Sequence, residues 1–152
     1  MCDTPCALPP SQLSAGKHQP HKAWERDFLT KQCGPAARTF AAGFYNDCAV
    51  AALAKLHPHL SFIHIYPGFV NTNWWLEMPP GLRCIVRQLM KTGKSLEDCG
   101  EFMAYALLND QFKAGSFLLT ELATAEKPTK LNDETTCAGV WAKSVAIFEK
   151  EL

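Results

Sequence analysis

The stretch Ser61-Phe-Ile-His-Ile-Tyr-Pro-Gly-Phe-Val-Asn-Thr72 constrains this chain more than any other. Its apolar run is short, is interrupted only by His64, and ends at Pro67-Gly68. Such a run, closed by turn residues, predicts a strand buried on both faces, as in a parallel sheet. Pro67 cannot donate to a ladder, and Gly68 lets another group approach the backbone closely. In open α/β sheets, the loop at the carboxyl end of such a strand is where ligands bind.

The flanking patterns supply the rest of an α/β unit. From Ala36 to about Leu56, the residues Phe40, Phe44, Cys48, Ala51 or Ala52, and Leu56 recur at helical spacing. His57-Pro58 ends that helix, because a residue before proline avoids the helical region. After the strand, Asn73 to Gly81 reads as an ordered aromatic loop. Leu82 to Met90 is an amphipathic helix with Leu82, Ile85, Val86 and Leu89 on one face, stopped at Thr92-Gly93. Ser95-Leu-Glu-Asp98 resembles a capping box and opens a helix to about Asn109. Its stripe is Leu96, Cys99, Phe102 or Met103, and Ala106 or Leu107. Ala114 to Glu121 is a second short apolar strand. Asp133 caps a last helix through Phe148, with Trp141, Ser144 or Val145, and Phe148 facing inward. Helices between strands predict an α/β fold with two parallel strands and about four helices.

Bulk properties narrow the function classes. Fifteen basic and fifteen acidic residues cancel, so neither nucleic acid nor an anionic membrane is the expected partner. No apolar segment has the length of a membrane span, and Met1 to Gln12 lacks the layout of a secretory signal. The seven cysteines form no Cys-x-x-Cys pair, which predicts reduced, mostly buried thiols in a soluble cytoplasmic protein. Residues 1–35 are expected to form a flexible N-terminal segment: Met1 to Pro20 carries scattered proline, glycine and polar residues without periodicity, while Lys22 to Gln32, with Trp24, Phe28 and Leu29 among charges, suggests a short amphipathic turn. The folded unit is expected over 36–152.

The familiar chemical motifs fail one by one. Lys91-Thr-Gly-Lys-Ser95 ends like a phosphate-binding loop, but Gln88 stands where that loop needs glycine, and the segment follows a helix. Cys2, Cys6, His18 and His21 match no usual zinc spacing, and His57, His59 and His64 read as surface or core histidines. No Gly-x-Ser-x-Gly occurs, and Cys48 and Cys99 sit on apolar helix faces.

Tyr66-Pro-Gly-Phe-Val-Asn-Thr72 at the end of an apolar strand resembles the Pro-Gly-x-Val-x-Thr segment of short-chain dehydrogenases/reductases. Tyr45-Asn-Asp-x-Ala-Val50, Leu53 to His64, Glu97 to Asn109, the strand at Gly115, and Val140-Trp141 to Phe148 extend the resemblance toward the fungal-type NAD(P)-binding branch. It covers roughly Ala36 to Lys150, the C-terminal part of such a protein. The resemblance implies a partial Rossmann-like, doubly wound unit, NAD(P) as cofactor, and oxidoreductase ancestry. It places Pro67, Gly68, Val70 and Thr72 around the nicotinamide half of the cofactor. It also places Trp74, Trp75 and Met78 in a substrate lid, favouring a small apolar carbonyl or alcohol; the residues themselves read equally well as a cap on the core.

Two departures set this chain apart from the pattern. No glycine-rich turn cradles a pyrophosphate at a helix N-terminus. The family's proton donor is a Tyr four positions before a Lys, yet Tyr45, Tyr66 and Tyr105 are followed at that spacing by Ala49, Val70 and Asn109. No catalytic residue is therefore assigned. The expectation is a truncated or degenerate homologue, weakly active or inactive. The alternative is a non-enzymatic binding or scaffold module that uses an exposed sheet edge, self-association included.

Overall fold

The structure, a computed structural model, describes residues 25–31 and 33–151. The Met1 to Pro20 segment, with its expected flexibility and its Cys and His residues, lies outside the described residues. In chain order the elements are α1 (Pro35–Leu56), β1 (Ser61–Ile65), α2 (Pro80–Met90), α3 (Leu96–Leu108), β2 (Gly115–Leu119) and α4 (Glu134–Glu151). Short 3₁₀ turns occupy Asn73–Glu77 and Asp110–Phe112. This is the α-β-α-α-β-α order expected from the patterning.

The helix ends follow from local chemistry. The Ser95 hydroxyl accepts a hydrogen bond from the Asp98 amide at 3.0 Å, and the Asp133 carboxylate accepts one from the Thr136 amide at 3.0 Å. Each satisfies an amide that the first helical turn leaves without a partner. Pro80 opens α2, where its missing N–H costs nothing.

β1 and β2 pair in parallel, with register running from Ser61 opposite Gly115 to Ile65 opposite Leu119. Side chains alternate across this pair. Ile63, Ile65, Phe117 and Leu119 meet Phe102 and Ala106 of α3 on one face, together with Phe112 and Ala123. His64 faces α1 on the other, where the Asp47 carboxylate accepts a hydrogen bond from its Nδ1 at 2.6 Å. α4 lies antiparallel beside α1, because Lys55 pairs with Glu134 at 2.5 Å while Cys48 meets Cys137. Phe44, Cys48, Cys137 and Val140 form the core between these two helices. Phe28 closes its end by stacking on Tyr45 with ring centroids 4.3 Å apart.

Two expectations about burial are corrected, those for β1 and for Phe148. β1 is half-buried with Ser61 exposed, not buried on both faces. The sheet is two strands wide, and among the described residues no strand covers the outer edge of β1. The apolar face of α2 does not reach the core: Leu82, Ile85 and Leu89 remain 50%, 66% and 57% exposed. That helix packs chiefly on the Asn73–Glu77 turn. In α4 the buried positions are Cys137 and Val140, while Phe148 is 66% exposed. No helix among the described residues is long and apolar enough to cross a membrane.

Asp47 has a fully buried side chain, so truncating it leaves His64 facing an apolar interface without its acceptor. We expect Asp47→Ala to lower unfolding free energy by about 3 kcal/mol in urea titrations, with Asp47→Asn costing less because it keeps the shape and an acceptor oxygen.

Candidate functional site

The parallel pair ends both strands on the same side, so the segments after Ile65 and after Leu119 emerge together. Gly68 has φ +79°, and a Cβ added there would lie 2.4 Å from Glu121 Oε2. The left-handed backbone requires glycine here, and the Glu121 side chain that follows β2 closes against it and would have to shift to admit a Cβ. Pro67 is exposed, and its carbonyl accepts a hydrogen bond from the Cys99 thiol at 3.9 Å. Gly68, Val70 and Thr72 are half-buried.

Lys94, the lysine of the rejected phosphate-loop match, organises this loop. Its amide donates to Phe69 O and its carbonyl accepts from the Asn71 amide, both at 2.8 Å. Val70 is thereby bridged in parallel to Lys94. The ammonium of Lys94 reaches Glu121 O at 2.6 Å and lies 4.5 Å from the centre of the Phe102 ring. One residue joins the loops that follow both strands, holding the β1 loop through its backbone and the β2 loop through its ammonium. Gly93 permits this contact, since a Cβ there would approach Phe69 O to 2.9 Å and Asn71 N to 3.0 Å. The Lys91 to Ser95 segment therefore staples the β1 loop and holds no phosphate loop.

This geometry decides which backbone groups after Gly68 are taken up within the chain. Phe69 O and Asn71 N are committed to Lys94. In a parallel bridge the central residue's own amide and carbonyl point away from the partner, so Val70 directs these groups to the side opposite Lys94. Thr72 precedes the Asn73–Glu77 turn, and its hydroxyl makes no capping bond to it. The residues that can meet a carboxamide are thus Val70, through its backbone, and Thr72, through its hydroxyl.

The three lid residues lie on or next to the Asn73–Glu77 turn. Trp74 is exposed, while Trp75 and Met78 are half-buried. The Arg87 guanidinium sits 5.2 Å from the Trp75 ring centre, and Arg83 Nε donates to Met78 O at 2.9 Å. α2 therefore fixes the turn through both arginines.

Tyr66 is the tyrosine at the mouth of this loop, and its electrostatics oppose acid catalysis. Burial, and then the Glu121 carboxylate, push its phenol above the ordinary value. A tyrosine serving as proton donor needs a neighbouring cation to lower it instead. Tyr45 is pushed up to about 12, by burial first and then by the charge of Asp27, and its hydroxyl is used structurally, donating to Phe28 O at 3.1 Å. Among the described residues no group of three or more His, Cys, Asp or Glu side chains is arranged to hold a metal ion.

A cleft of about 670 Å³ lies beside the loop after β2, lined by Phe102, Tyr105, Phe112, Leu122 and Ala123 among others. Pro67, Gly68, Val70 and Thr72 do not line it, but Phe102 links it to Lys94. Its walls come from α3 and from the turn at Ala123, whose positive φ no linear pattern signals.

Comparison with protein-family models, with curated proteins and with solved structures finds no match to this chain.

Gly68→Ala places a Cβ on a left-handed residue and against Glu121. We expect a loss of about 1 to 2 kcal/mol in urea unfolding. Truncating Glu121 as well should recover the steric part of that loss and leave the backbone part.

Proposed function

We propose that this chain is a short-chain dehydrogenase/reductase-like protein that keeps the nicotinamide half of an NAD(P) site and lacks the proton donor for turnover. One observation carries the reading. The Pro67 to Thr72 loop leaves the carboxyl end of a parallel strand with Gly68 in the left-handed region, Val70's peptide groups turned away from Lys94, and the Thr72 hydroxyl free of any capping role. That donor set fits a carboxamide, and Val70 offers an apolar wall to the ring. A bound dinucleotide would supply the hydride chemistry. The chain's residues would orient the ring, with Thr72 and the Val70 backbone holding the carboxamide.

The pyrophosphate half has no counterpart among the described residues, where no glycine-rich turn leads from a strand into a helix. The carboxylate of Glu121 beside Gly68 also disfavours an anion there. The proposed activity is weak cofactor binding with little or no oxidoreductase turnover. A small apolar carbonyl or alcohol would lie under Trp74, Trp75 and Met78.

Nicotinamide fluorescence measured while NADH or NADPH is titrated onto the full chain tests this. The expected result is saturable enhancement at high micromolar cofactor, without oxidation of the cofactor by a panel of carbonyl compounds. Thr72→Val should weaken binding about fivefold, roughly 1 kcal/mol for one lost hydrogen bond. No fluorescence change with either cofactor would overturn the reading.

A second reading, a scaffold that pairs through its sheet edge, has its own observation. The outer edge of β1 adjoins a cavity of about 300 Å³ lined by Ser61, Ile63, Leu107 and Leu108 among others. Leu108 is 82% exposed there. An unpaired edge flanked by exposed leucines is a template for a second chain. On this reading sedimentation velocity gives a concentration-dependent dimer, and Leu108→Glu returns it to monomer with unfolding unchanged. A monomer at all concentrations would exclude it.

A further inference from the structure

Cys48 and Cys137 stand apart from the other described cysteines. Cys48 lies on the apolar stripe of α1, and Cys137 lies in the first turns of α4. The antiparallel packing of these helices brings the two sulfurs to 2.9 Å, across 89 positions of sequence. Both side chains belong to the buried core with Phe44 and Val140. Cys33 is half-buried, Cys84 is exposed, and Cys99 is hydrogen-bonded to Pro67 O.

The two thiols differ in access. Cys48 is fully buried. Cys137 lines an apolar cleft of about 390 Å³ between α1 and α4, with Ala51, Ala52, Ala138 and Trp141 among its walls. Three alanines open this cleft, and the Lys55–Glu134 ion pair lies on it. Cys137 also borders a smaller cavity of about 130 Å³ with Asp47, Ser116 and Glu126. A solute of a few atoms that enters from the α1–α4 side meets Cys137 with Cys48 directly behind it.

We propose that Cys48 and Cys137 form an oxidation site: a hydroperoxide entering the α1–α4 cleft converts the pair to an intramolecular disulfide that fastens α1 to α4. The thiolate of Cys137 attacks the peroxide. An S–O bond forms, the O–O bond breaks, and water or an alcohol leaves after protonation. The thiolate of Cys48 then attacks the Cys137 sulfenic sulfur, forming the S–S bond as the S–O bond breaks and a second water leaves. Two thiols are oxidised by two electrons, and one hydroperoxide is reduced. The sulfurs need to close only from 2.9 Å to about 2.05 Å.

Access favours this order, since Cys137 lines the cleft and Cys48 does not. Burial raises both thiols; at Cys137 the hydrogen bond with Cys48 acts in the opposite direction, while the carboxylates of Asp133 and Asp47 raise it further against the smaller effect of the Lys55 ammonium. Because both remain raised, closure is slow, over roughly minutes to hours. The ring that closes contains β1, α2, α3 and β2, so the crosslink restrains nearly the whole sheet in the unfolded chain.

The test uses the full chain, reduced, freed of reductant, and then treated with hydrogen peroxide. Remaining thiols are alkylated in denaturant before peptide mapping. We expect a Cys48–Cys137 crosslinked peptide, two hydrogens lighter than the reduced pair. The thermal midpoint should rise by roughly 5 °C or more and return on adding dithiothreitol. In Cys48→Ala, dimedone should label Cys137 as the sulfenic acid, and the rise should vanish. Recovery of Cys48 and Cys137 as separately alkylated peptides would overturn the proposal. So would either cysteine crosslinked only to another partner. Mapping of the unaltered chain decides the matter even if Cys48→Ala fails to fold.

Discussion

The parallel pairing of β1 with β2 is the constraint on which the rest of this structure depends. Two parallel strands cannot be joined by a tight turn, so α2 and α3 must lie between them in sequence. Both strands then end on one side, which brings Pro67–Thr72 beside Glu121 and lets a single residue, Lys94, tie the two loops together. A sheet this narrow buries little by itself. Its stability is borrowed from α1, itself backed by α4, on one face and from α3 on the other.

Within that arrangement the polar groups divide by task. Asp47 and His64 meet between α1 and the sheet, where burial makes each the other's requirement. Glu121 and Lys94 sit at the strand ends, where Glu121 is exposed and the Lys94 ammonium is taken up by Glu121 O and the Phe102 ring. Tyr66 lies close to this second group, yet its surroundings raise its phenol and do not activate it. The candidate site is consequently equipped to hold a neutral polar group and poorly equipped to move a proton. This is why binding with little turnover is the function proposed for it.

The apolar surface tells a related story. α2 carries a clean amphipathic stripe, yet the sheet is too narrow to receive it. α3 exposes Leu107 and Leu108 next to the open edge of β1. These are the surfaces that a wider sheet, or a second chain, would cover.

Much of the fold was legible in the sequence because it rests on local signals. Helical spacing in 36–56, the caps at Ser95 and Asp133, the stop at His57-Pro58 and the short apolar strands each depend on residues a few positions apart. Gly68 was legible as a close-approach position for the same reason. What lay beyond the sequence depends on contacts between distant segments. Lys94 reads as an ordinary basic residue until the fold sets it against Phe69, Asn71 and Glu121. The burial of Asp47 depends on where His64 projects, and the meeting of Cys48 with Cys137 depends on the antiparallel docking of α4 on α1. Amphipathic spacing named the apolar faces of α2 and α4 correctly as faces, but whether a face is buried is decided by what stands opposite it, and only the tertiary structure places that neighbour.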